Sequence, residues 1–342
     1  MLYDEVTEIF EKSMKGRTQM YQLLDLKDMN LENCSKEIME IAYKSYMKEM
    51  EKHSGVLLKP YEEYQVFLKQ ELNNTNGFVC MEDEICLGYL LYNKWEENEE
   101  IHCSIPEWGY GAIEEKREKT ISRLFQALAD ELVGEKTVHF SMNVYAHDIE
   151  IQRLFSYLEF GTQAEVGICK IDDIGVEKTE HVRKISKDEL AHRWDEVWSL
   201  LAQLINHLKK SPVFYGGEEF TEEVYREFFA DAGTRVYIAE KDGKVIGLIE
   251  ANVDTISQVF SDGEAANVGE VYVLPEYRGT VVGQELLSYA CKDLAKDGYW
   301  YAWVEHGTAN PNARYFWNKH FATYRYEMIR TVYGRALDKE DK

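Results

Sequence analysis

"EVYVLPEYRGTVVGQELLSYA", residues 270–290, is the stretch that decides how this chain is read. A strand-like run of β-favouring residues over 268–274 stops at Pro275. "EYRG" follows, and a helix-like run begins at once. A helix N-terminus offers free backbone N–H groups and about half a positive charge, which suits a phosphate. Glycine at such a corner lets the backbone approach a ligand closely. Taken alone, the stretch fits a plain strand–turn–helix corner with a solvated arginine equally well.

Working outward, the stretch has an echo in the first half of the chain. "VCMEDEICLGYLLY" (79–92) resembles "YIAEKDGKVIGLIE" (237–250), with Gly88 matching Gly247. "REKTISRLFQALADEL" (117–132) resembles "RGTVVGQELLSYACKDL" (278–294), and "HDIEIQRLFSYLEFG" (147–161) resembles "ANPNARYFWNKHFATY" (309–324). Similar pieces in one order at a near-constant offset of about 160 residues argue for two copies of one fold. The division expected is a first domain over 1–171, with an extra amphipathic helix at 1–16, a linker at 172–180 and a second domain over 181–342.

In the second copy, 181–186 reads as a short strand. "SKDE" (186–189) is a capping-box pattern that opens a helix to about Leu208, with Leu200, Leu201, Leu204 and Leu208 at helical spacing. "FTEEVYREFFADAG" is a second helix capped by Thr221 and stopped by Gly233. Strands near 235–240 and 244–253 are joined by the hairpin turn "KDGK". The motif strand and its helix to about Lys296 follow. Then come a strand over 299–306, a helix over 312–320 and a strand over 324–332.

Bulk properties narrow the function. The chain has 342 residues, 45% of them hydrophobic and 30% charged, as in a globular protein of two domains. The start "MLYDEVTEIFEK" is acidic and lacks an apolar core, so no signal peptide is expected, and no apolar run reaches the ~18 residues of a membrane span. A net charge of −23 argues against nucleic acid and anionic membranes as partners and favours a cationic substrate. Six cysteines without a C-x-x-C pair fit free thiols in the cytoplasm.

The element order, with "VYVLPEYRG", Gly283 and "NPNARYFWNK", resembles the GNAT superfamily of acetyl-CoA-dependent acyltransferases. Arg278, Gly279 and Gly283 match the family's first motif, with Val281 where it has glycine. Asn310, Ala313 and Phe316 match the second motif, with Trp317 at its tyrosine position. The resemblance covers 181–333 well and 19–171 weakly. It implies an α/β (α+β) fold of two GNAT-like domains, each a mixed, mostly antiparallel twisted sheet flanked by helices. The first copy is expected to be degenerate.

By that resemblance the cosubstrate is acetyl-CoA and no metal takes part. The amides of Arg278, Gly279, Thr280, Val281, Val282 and Gly283 would cradle the pyrophosphate. Val271, Tyr272 and Val273 would line the pantetheine arm between splayed strands, with Asn310, Ala313 and Phe316 beyond it. Amides near Val273 and Leu274 would polarise the thioester carbonyl. An alkyl amine of pKa ~10.4 must lose a proton before it attacks. Glu270, which shares a strand face with Tyr272, is the leading base; Glu305 and His306 are further candidates. Tyr315 or Tyr324 would protonate the leaving thiolate, or the thiolate leaves without an acid. Asn310 serves equally well as a helix cap, and Glu250 and Asp254 read as solvated strand residues or as a reception site for a cation.

The first copy reads "IPEWGYGAIEEKREKT" (105–120) at its corner. No glycine follows Arg117, and Glu114, Glu115 and Glu118 would repel a phosphate. Phosphate-loop, zincin and nucleophile-elbow motifs are absent. The expected partner is a small-molecule amine met by a monomer (a pseudo-dimer of domains) or a homodimer. The competing reading is a catalytically weak acyl-CoA-binding or sensor protein on the same fold.

Overall fold

The computed structural model describes residues 21–28, 35–53, 59–83, 85–134, 136–175, 181–217, 220–253 and 265–334. The helix expected over 1–16, Cys34, the end of the linker and Asp254 lie outside the described residues. One sheet runs through the molecule. Its order is β1 (Tyr21–Asp25), β2 (Asn76–Glu82), β3 (Ile85–Glu97), β4 (Glu100–Ile105), β6 (Val138–Tyr145), β13 (Ala322–Val332), β7 (Gly161–Lys170), β12 (Tyr301–Gly307), β11 (Ala265–Val273), β10 (Lys244–Asn252), β9 (Thr234–Lys241) and β8 (Val182–Lys184). A short β5 (Tyr110–Ala112) pairs with β3 off this path.

Read inward from either end, the order is the same. β1-β2-β3-β4-β6 repeats as β8-β9-β10-β11-β12, antiparallel throughout except for the parallel pairs β4–β6 and β11–β12. The last strand of each copy is then exchanged. β13 of the second copy lies against β6 of the first, β7 of the first lies against β12 of the second, and the two pair with each other. Each strand covers an edge that the other copy would leave unpaired. The two expected sheets are therefore joined into one.

Helices cover both faces. On one face lie α1 (Ser35–Met50), α2 (Tyr61–Asn74), α5 (Lys187–His192), α6 (Trp194–Leu208) and α7 (Glu222–Ala230); on the other lie α3 (Arg117–Leu132), α4 (Ile149–Tyr157), α8 (Val282–Lys296) and α9 (Pro311–Trp317). Caps fix the starts: Ser186 Oγ accepts from Glu189 N at 3.1 Å, and Thr221 Oγ1 from Val224 N at 3.3 Å. The helix expected from Ser186 to Leu208 is broken at Arg193, whose guanidinium is drawn to Glu196 (3.0 Å) and Glu240 (2.5 Å). Leu200, Leu201 and Leu204 are buried as their spacing predicts. Cys80, Cys103, Cys169 and Cys291 are free thiols, and all four are buried, as is Cys86. No helix among the described residues is long and apolar enough to cross a membrane.

Candidate active site

β11 and β12 keep register over only three pairs, Ala265 with Tyr301, Ala266 with Ala302 and Asn267 with Trp303, and then part. The cause lies on the other side of β11. Its register against β10 shifts between Ile249 and Ala251, where Gly269 and Glu270 oppose Glu250 alone. A bulge of this kind bends and twists its strand. The Leu274 amide donates to Ile246 O at 2.9 Å, so strand alternation turns the amides of Leu274 and Tyr272 toward β10 and those of Val271 and Val273 toward the gap. Of the backbone donors expected here, Leu274 is thus committed elsewhere. Tyr272 presents its ring instead, beneath the Arg278 guanidinium at 4.9 Å.

At the corner, Gly279 has φ +72, a left-handed conformation that L side chains seldom adopt. The Thr280 hydroxyl closes the turn, donating to Tyr277 O at 2.6 Å and accepting from Val282 N at 3.4 Å. Val281 is the N-cap of α8, half-exposed, rather than a residue of its first turn. The Arg278 side chain folds back from the corner, with Nε donating to Val273 O at 3.0 Å. A Cβ on Gly283 would come within 3.3 Å of the Phe316 ring, so this glycine serves the packing of α9 on α8. Asn310 is a cap, its Oδ1 accepting from Ala313 N at 3.3 Å and lying 3.4 Å from His207 Nε2. Phe316 thus packs where α9 meets α8, while Asn310 and Ala313 form the start of α9, facing His207 of α6.

The α6–α7 face of the gap is acidic. Glu270 Oε1 accepts from the Tyr225 hydroxyl of α7 at 2.9 Å. Glu250, expected as a solvated strand residue, is instead 2% exposed, because the bulge turns it inward. Its Oε1 accepts from Glu270 N at 3.2 Å, while its Oε2 has no hydrogen-bond partner. Any side chain at Gly269 would start 2.3 Å from that Oε1. Burial, then the nearby Glu270 charge, pushes the Glu250 carboxyl up to about 8. Burial raises Glu270 as well, against the Tyr225 hydrogen bond. The signal for this pair was a glycine inside a strand, which marks a bulge or a close approach.

The other candidates are dispersed. Glu305 shares the face of Glu270, across from Val166; it is exposed at the surface, although the protein packed around its carboxyl raises it against the pull of Arg325. His306 points to the opposite face, 7% exposed, with Nε2 3.3 Å from Asn318 Oδ1 and 3.9 Å from Glu165; burial keeps it below the usual imidazole range. Strand alternation thus separates His306 from Glu270, which corrects its reading as a second base. Tyr315 is 85% exposed. Tyr324 is fully buried and donates to Glu107 at 3.3 Å. Neither tyrosine is set in the gap as a proton donor.

Residues 201–322 match the acetyltransferase (GNAT) family model. A GCN5-related N-acetyltransferase from Sphaerobacter thermophilus superposes with TM-score 0.53 at 9% identity, over 91% of this chain and 95% of that one. The GCN5-related glucosamine N-acetyltransferase region of a fungal multi-domain GH3 β-N-acetylglucosaminidase gives 0.51 at 13% identity, over 93% of this chain but only 38% of that chain. A tandem GNAT protein from the clavulanic acid biosynthesis pathway gives 0.44 at 14% identity, over 92% and 98%. No curated protein matches by sequence. The matched segment runs from α6 to the start of β13 and contains the gap, the glycine corner and the α8–α9 contact; it is this segment of the second copy that belongs to the GNAT acetyltransferase family.

Proposed function

We propose that the second copy transfers the acetyl group of acetyl-CoA to a primary amine of a small cationic acceptor. The parting of β11 from β12 beside the Gly279 corner carries this reading. The residues there suit the cosubstrate. Val271 and Val273 offer amides along the gap, and the α8 N-terminus offers amides and a favourable dipole for phosphate. Open space surrounds Gly279 where a Cβ would stand. Bound acetyl-CoA supplies an activated thioester carbonyl. The Val273 N–H is the donor available to an oxygen held in the gap.

The acceptor arrives as an ammonium ion and is drawn to Glu270, Glu305 and their acidic surroundings. Where two carboxyls share one buried site, the first proton stays with one of them. Glu250 holds that proton and leaves the charge on Glu270. Glu270, steadied by the Tyr225 hydroxyl, takes the proton from the amine. The same reading has the protein working in the cytoplasm as a monomer or homodimer, without nucleic-acid or membrane partners. The test is acetyl-CoA turnover against amines, polyamines, aminoglycosides and amino acids, with salt varied. Transfer to a cationic amine with a KM that rises with salt supports the proposal. The Arg278 side chain turned away from the corner favours a second reading, an acyl-CoA-binding sensor, and binding without turnover on any amine would support it. Absence of acetyl-CoA binding overturns both.

A further inference from the structure

The first copy carries a group of side chains that no acyltransfer step uses. Trp95, His102, His139 and Thr331 stand in one cross-strand row over β3, β4, β6 and β13, each in register with the next. The rings stack, Trp95 on His102 at 5.2 Å and 11° and His102 on His139 at 4.8 Å and 21°. Glu100 precedes His102 by two residues and so shares its face. That face points away from α3, because Cys103 and Ile105 fill the core on the α3 side. Glu100 Oε2 lies 2.7 Å from His139 Nε2, and His139 Nδ1 lies 3.0 Å from Thr331 Oγ1. One donor atom from each of Glu100, His102 and His139 falls within 4.8 Å of the others.

We propose that Glu100, His102 and His139 bind a divalent transition metal of the zinc class. Two imidazoles and a carboxylate are the donor set such ions prefer, whereas calcium and magnesium need more oxygen ligands. The first requirement, orientation, is already met. The Thr331 hydroxyl holds His139 by its outer nitrogen, the kind of second contact that fixes a metal-binding imidazole. Trp95 flanks His102, whose ring makes no hydrogen bond among the described residues. All three donors are partly exposed, so rotation of Glu100 and His102 can draw them to bonding distances of about 2.0–2.2 Å. Three protein ligands leave a position for water. The ion would tie β4 to β6 beside β13, the strand received from the second copy.

The full-length chain, freed of metal with a chelator, is titrated with zinc in a calorimeter and with cobalt in a visible spectrometer. The expected result is one zinc per chain and a cobalt absorption band of a low-coordinate nitrogen–oxygen site. Thr331→Val should weaken zinc by roughly tenfold, and His102→Ala and His139→Ala by more. Glu100→Gln, a conservative change at a partly exposed position, should weaken it without disturbing the fold, as checked by circular dichroism. No zinc uptake by the wild-type chain overturns the proposal. So does unchanged zinc affinity in the folded Glu100→Gln and His102→Ala variants.

Discussion

The two strand–helix corners of this molecule share one plan and differ in three places. In the first copy β4 stays in register with β6 over five pairs, from Ile101 with Val138 to Ile105 with Met142; in the second, β11 leaves β12 after three. In the first copy the turn Glu114–Lys116 runs straight into α3 at Arg117; in the second, Arg278, Gly279, Thr280 and Val281 intervene before α8. The cap of the following helix is Asp148 in the first copy and Asn310 in the second. Asp148 is paired with Arg117, with Nη1 2.8 Å from Oδ1 and Nη2 on Oδ2, and it also accepts from the Tyr110 hydroxyl at 3.1 Å. The first copy thus satisfies its corner with its own buried ions and keeps its strands closed. The second leaves backbone donors facing a gap. On the proposed reading, closing one strand pair and pairing the charges at one helix end are what separate the first copy from the acyl site of the second.

The strongest test of that contrast is Gly283→Glu. It sets a carboxylate at the positive end of α8 and drives Phe316 aside, so acetyl-CoA binding should vanish. Calorimetry on the wild-type chain should count one acetyl-CoA site, and two equivalent sites would break the comparison. Glu270→Gln comes next: kcat should fall by roughly 10²–10⁴, leaving only the rise with pH that deprotonation of the amine in solution supplies. Full turnover across neutral and alkaline pH would remove Glu270 from the mechanism.

Asp148→Ala should cost about 3–5 kcal/mol in urea unfolding, since it leaves the partly buried Arg117 with only the more distant Glu150, at 4.0 Å, and removes the helix cap, yet leave acetyl-CoA affinity unchanged. Its counterpart Asn310→Ala should cost only about 1 kcal/mol, because a neutral cap is lost. Equal costs would mean that the two corners do not differ in charge. A subtler effect concerns pH. Between the ordinary 4.5 and about 8 the folded chain retains on Glu250 a proton that the unfolded chain has released, so stability declines as pH rises through this window. Glu250→Gln should flatten the decline in denaturant midpoints, and an unaltered slope would show that the burial of Glu250 is not felt. The smallest effect belongs to Val281→Gly. At an N-cap, glycine is at least as well accepted as valine, so stability should change by a few tenths of a kcal/mol while acetyl-CoA affinity rises modestly.

Much of this was legible in the residues because it is local. The period-two run before Pro275, the caps at Ser186 and Thr221, the "KDGK" turn and the leucine spacing of α6 each follow from interactions within a few residues. The repeat at about 160 residues announced two copies for the same reason, since each copy obeys its own local rules. What a strand presents to one face was also legible as a pattern. Which face lies over the gap was not.

The remainder depended on register between distant strands, which no short window of sequence encodes. The exchange of β7 and β13 is decided by which edge each last strand meets, and both partners lie in the other copy. Glu250 is buried beside Glu270 because one strand bulges against its neighbour, and His306 is separated from Glu270 because alternation on β12 turns it to the other face. Glu100, His102, His139 and Thr331 come from three strands of two copies and meet only once those strands are paired. Propensity and capping act along the chain and so determine the elements and the motif corner. The burial of a carboxyl and the meeting of side chains act across it, and the tertiary structure alone decides them.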